Sequence, residues 1–71
     1  MKPGDLVRVK VTDILYSHIS GVSCIGACVA GDLLTVVDAH IGRNGNIKVL
    51  HPQLGIGFTH AEFLEVISEA G

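Results

Sequence analysis

From Ile14 to Gly31 the chain carries no Asp, Glu, Lys or Arg for 18 residues, between Asp13 and Asp32. A membrane-spanning helix needs about 20 predominantly apolar residues. Seven of these 18 are Ser17, His18, Ser20, Gly21, Ser23, Gly26 and Gly31, and that dilution argues against a span. The glycines also argue against a soluble helix, since each costs about 1 kcal/mol relative to alanine in a helix interior. The segment is therefore read as a long, partly extended loop or as an extra hairpin. In the hairpin, Ile14–Ile19 and Ser23–Ala30 are the arms and Ser20-Gly21 the turn.

An uncharged stretch of this length makes a poor solvent-facing surface. It either packs over an open end of the domain and supplies missing core, or forms an interface with a second copy or another protein. The interface candidates are Ile14, Leu15, Tyr16, Ile19, Val22, Ile25 and Val29.

The rest of the chain sets the frame for that segment. Seventy-one residues make one domain, 1–71, and a domain this small buries only roughly 60% of the surface its unfolded chain exposes. Hydrophobic residues reach 48% while aromatics stay at 4%, so the core must be built from Val, Ile and Leu, which number 23. Disorder, which goes with low hydrophobicity and high charge, is excluded. So is a disulfide-dense scaffold, because there are two cysteines.

Leu6-Val7-Arg8-Val9-Lys10-Val11 alternates apolar and polar, the period of a half-buried strand. Leu33 to Ile41 is a second β-rich run and Ile47–Leu50 a third. Between them Asn44-Gly45 signals a hairpin with a type I′ turn. Pro52 cannot donate to a ladder and closes the third strand. A short strand follows within 53–59. Thr59-His60-Ala61-Glu62 has the spacing of one helical turn with Thr59 as N-cap. Leu64–Ile67 is the closing strand, and residues 68–71 are expected to fray. The expected architecture is all-β: a small barrel of about five antiparallel strands, with one short helical turn before the last.

That order resembles a Src-homology-3 (SH3)-like barrel. The residues that carry the resemblance are Gly4-Asp5-Leu6-Val7-Arg8-Val9, Gly31-Asp32-Leu33-Leu34-Thr35-Val36-Val37, Ile47-Lys48-Val49-Leu50 and the ending Phe63-Leu64-Glu65-Val66-Ile67. The chain also resembles short phage and bacterial open reading frames with a Lys-x-Gly-Asp-Leu-Val start and a Leu-Glu-Val-Ile-Ser-Glu close. The resemblance implies a fold and no specific activity. Peptide-binding members of the fold use an aromatic-lined groove, for which only Tyr16 is available here. Ribosome-associated members are usually basic, whereas this chain has a formal charge of −2.

Chemistry-bearing patterns are sparse. Cys24 and Cys28, with four histidines elsewhere, suggest a metal or redox site. In a regular strand, however, the two lie on one face about 13 Å apart, too far for one metal or one disulfide. Two small buried hydrophobes is the competing reading. A two-residue Asn-Gly loop would set Asp38 opposite His51, as a general-base or pH-sensitive pair or as an ordinary cross-strand contact. Gly55-Ile56-Gly57 is a fragment of a phosphate cradle or a site of close backbone packing. Arg8, Lys10 and Lys48, with Arg43 at the rim, could make a weak nucleic-acid surface or simply a solvated strand face.

The expectation is a non-catalytic interaction or structural module, self-associating or protein-binding through 14–31. No catalytic residue, metal or cofactor is assigned. The alternative is a weak nucleic-acid binder using Arg8, Lys10 and Lys48. Met1-Lys2-Pro3-Gly4-Asp5 is not followed by the apolar stretch of a secretory signal. A cytoplasmic protein is expected, with a virion or phage-infected host cytoplasm as the variant of that reading.

Overall fold

The computed structural model describes residues 1–70. Seven antiparallel strands form one sheet: β1 (Leu6–Val9), β2 (Asp13–Tyr16), β3 (Cys24–Cys28), β4 (Leu33–Asp38), β5 (Asn46–His51), β6 (Gly55–His60) and β7 (Leu64–Ser68). A single 3-10 turn, Ala61–Phe63, sits between β6 and β7. The strand order across the sheet is β3-β2-β6-β5-β4-β1-β7. The count exceeds the expected five because the uncharged segment folds as its own hairpin, β2–β3, added beside β6.

The alternation seen in the sequence sets the inner face. Val7 and Val9 of β1, Leu34 and Val36 of β4, and Ile47 and Val49 of β5 are buried, and Leu15, Cys28 and Leu64 complete the core. Each fully buried aliphatic side chain contributes about 1.5–3 kcal/mol. With so few of them, the hydrogen-bonded turns at the rim also matter.

Two such turns use buried or half-buried carboxylates, those of Asp5 and Asp32. Lys2–Asp5 is a turn closed by Asp5 N–H to Lys2 O at 3.0 Å, with Gly4 at φ +90°. Pro before a positive-φ glycine is the pattern of a type II turn. The Asp5 carboxylate accepts the backbone N–H of Lys2 at 2.8 Å and that of Ala70 at 2.7 Å. The expected fraying of 68–71 is thus corrected: Ser68 ends β7 and Ala70 is tied to Asp5. Gly71 lies outside the described residues.

The β4–β5 connection also departs from expectation. Gly45 N–H bonds Gly42 O, and Gly42 N–H bonds Asn46 O, both at 2.9 Å. Arg43-Asn44 therefore form the centre of the turn, and Gly45, at φ +83°, follows it. This is the three-residue hairpin with a left-handed glycine, not the two-residue type I′ loop. A further irregularity between Val36 and Asp38 shifts the register again, so Asp38 faces Lys48 and the Asp38–His51 pairing does not form. At the 3-10 turn the N-cap is His60, without a side-chain cap. The Thr59 hydroxyl is engaged by Asp13 instead.

Candidate functional site

The β2–β3 arm divides the seven interface candidates. Leu15 is fully buried and Ile25 packs against the core. Tyr16 and Ile19 are half-buried, whereas Ile14, Val22 and Val29 are 41%, 54% and 54% exposed. One face of the segment therefore completes the core, while the other meets solvent. Ile14 lies opposite Ala27, also exposed, so the pair forms part of the outer face of the arm.

Among the described residues β3 pairs only with β2 and ends the sheet. An edge strand is a template for another strand, and proteins usually blunt it with charge or proline. Cys24-Ile25-Gly26-Ala27-Cys28 has neither. The opposite edge, β7, carries Glu65, which ties down Arg8.

The cysteines do not form a site. A register shift between Leu15 and Tyr16 interrupts the alternation of the β2–β3 ladder, leaving Cys24 exposed and Cys28 buried. Burial pushes the Cys28 thiol up to about 11, helped by the carboxylates of Asp32 and Asp13. A thiol held there is a poor nucleophile. Among the described residues no group of three or more His, Cys, Asp or Glu is placed to hold a metal ion.

Two Asp–His pairs lie at the rim, neither of them the predicted one. His51 Nε2 lies 3.0 Å from Asp32 Oδ2, while its Nδ1 accepts the backbone N–H groups of Gln53 and Leu54 at 3.1 and 3.2 Å. An imidazole nitrogen that accepts carries no proton, so Nε2–H donates to Asp32. His51 braces the β5–β6 turn. In the second pair, Asp13 Oδ2 receives His60 Nδ1 at 2.6 Å, Thr59 Oγ1 at 3.1 Å and His60 N–H at 3.3 Å. Burial raises the Asp13 carboxyl. The hydrogen bonds from the His60 ring, the backbone of Ile14 and His60, and Thr59 together outweigh it and hold the group below the ordinary value. Asp32 is lowered mainly by His51 and then by the Val29 N–H.

These carboxylates were legible only as turn or boundary residues. Asp5 and Asp32 each follow a glycine with positive φ, Gly4 and Gly31. A Gly-Asp step was the available signal for a turn braced by its own side chain.

The basic candidates do not converge. Arg8 Nε donates to Glu65 at 2.7 Å, Lys10 follows β1, and Arg43 sits in the β4–β5 turn. Lys48 faces Phe58, which faces Tyr16. Gly57 serves close packing: a β carbon there would lie 2.7 Å from Leu15 Cγ and 2.8 Å from Tyr16 O.

At one end of the sheet, the turn of the β2–β3 arm meets the β4–β5 turn around a cleft of about 500 Å³. Ile19 and Ser20 form one wall, and His40, Gly42, Arg43 and Asn44 the other. Asn46 is fully buried beneath, with Nδ2 on Ile19 O at 3.1 Å and Oδ1 without a partner among the described residues.

No family model, curated protein or solved structure matches the chain. Its geometry defines it as a small all-β, antiparallel protein. No helix among the described residues is long and apolar enough to cross a membrane.

Proposed function

We propose that this chain is a non-catalytic interaction module that associates with a second copy of itself through β3, on an SH3-like barrel. The barrel reading is supported by the chain order: a first strand, an inserted hairpin, three meandering strands, a 3-10 turn and a last strand beside the first. The two free thiols suit a reducing, cytoplasmic setting.

The observation that carries self-association is the charge-free edge of β3, flanked by exposed Ile14, Val22 and Val29. Antiparallel pairing of β3 with itself is isologous, so each copy offers the same patch and no charge is left unpaired. Light scattering on the wild type and on Ala27→Lys tests this. The expected result is a dimer at high micromolar concentration that Ala27→Lys converts to a folded monomer. A wild type that stays monomeric there overturns it.

The row Lys48–Phe58–Tyr16 supports a second reading, weak single-strand nucleic-acid binding through Lys48 and the two aromatic rings. A salt-dependent shift with single-stranded DNA tests it, and binding unaffected by salt rejects it.

A further inference from the structure

We infer that the cleft between turns 17–23 and 39–45 binds an extended segment of another protein, seating an acidic side chain on Arg43 beside an aliphatic one on Ile19. This site is separate from the β3 edge.

Its volume, about 500 Å³, lies within the usual range of ligand clefts, about 300–1,000 Å³. Its walls are already fixed. Asn44 Nδ2 donates to Ser20 O at 3.0 Å and Asn46 Nδ2 to Ile19 O at 3.1 Å, so the second turn holds the first by its backbone. A β carbon on Gly42 would lie 2.9 Å from Ile19 Cγ1, so Ile19 lies flat against the backbone there. Asp38 Oδ1 accepts His40 N–H at 2.9 Å and braces the other wall. A preformed site avoids the ordering cost of binding.

The charge of the cleft selects the occupant. Arg43 is exposed and, like Lys10 and Lys48, makes no ion pair among the described residues, and of these three it is the one that lines the cleft. No acidic residue lines the cleft. A guanidinium fork matches a carboxylate in two parallel hydrogen bonds. Ile41, 54% exposed, stands between the lining residues His40 and Gly42 and offers apolar surface next to the cleft. That favours an occupant longer than the cleft, an extended chain, over a small acid. One arginine is too little charge to track a nucleic-acid backbone.

The test is an amide NMR titration of the full chain with acetyl-Gly-Leu-Glu-Leu-Gly-amide and with the same peptide carrying Gln for Glu. The Glu peptide is expected to shift the Ile19, Arg43 and Asn44 amides saturably. Exposed ion pairs contribute about 0.2–1 kcal/mol. Binding should therefore weaken up to about fivefold with the Gln peptide, and equally with Arg43→Gln, a variant whose β1 and β4 amides stay unshifted. No shift at millimolar peptide, equal binding of the two peptides, or the same amides shifting with single-stranded DNA in place of peptide would each overturn the proposal.

Discussion

Leu15 occupies the space that a side chain at position 57 would take: a β carbon on Gly57 falls 2.7 Å from Leu15 Cγ and 2.8 Å from the Tyr16 carbonyl oxygen. This contact anchors the uncharged arm. β2 can lie against β6 because β6 has no side chain there, and Leu15 then enters the core while Ile14 stays outside. Gly57→Ala must displace backbone as well as Leu15, and overpacking of this kind costs about 1–3 kcal/mol. Leu15→Ala leaves a cavity instead and costs about 2–5 kcal/mol. Urea unfolding of the two variants checks both values.

The two rim histidines are expected to hold opposite tautomers. His51 accepts two backbone N–H groups at Nδ1 and carries its proton on Nε2. His60 must donate from Nδ1, because the ionised Asp13 can only accept. Long-range nitrogen–proton correlation spectra report the protonated nitrogen in each ring directly. The same tautomer in both rings would contradict the assignment.

Acid should unfold the protein through its aspartates. Asp5, Asp13 and Asp32 are all held below the ordinary value of 3.8 in the folded state. A depressed carboxyl contributes stability that is complete above its unfolded pKa and is lost as pH falls through the folded pKa. The melting temperature should therefore hold steady down to about pH 5 and fall below about pH 4. Asp13→Asn should be less stable at neutral pH and show a shallower fall, as thermal melts across pH would record.

Asp5 joins the two ends of the described chain, with Ala70 N–H on one oxygen and Lys2 N–H on the other. Asp5→Asn turns one acceptor into a donor that faces an N–H. The Ala70 amide, hydrogen-bonded to Asp5, is expected to exchange slowly in the wild type and freely in the variant, with a melting temperature lower by several degrees. Hydrogen exchange followed by NMR checks both.

Strands β1, β4, β5 and β7 were legible because alternation and β-branched residues are local signals. The 18-residue gap in charge marked the arm, and its three glycines excluded a helix. What stayed hidden depends on register. The Asn44-Gly45 step announces a hairpin, yet a one-residue difference in loop length and the irregularity at Val37 move Asp38 from His51 to Lys48. The true partner, Asp32, lies 19 residues from His51 and meets it only through the fold. The same limit applies to the cysteines: even spacing implied one face, and the shift beside Tyr16 separates their environments.

The central claim, that β3 is an edge built to be paired, is tested most directly by amide exchange in β3 as protein concentration is raised. Pairing with a second copy predicts that outward-facing amides of Cys24–Cys28 exchange rapidly in dilute solution and slow progressively toward millimolar protein, while Ala27→Lys abolishes the slowing. Exchange rates in β3 that do not change over that range would contradict it.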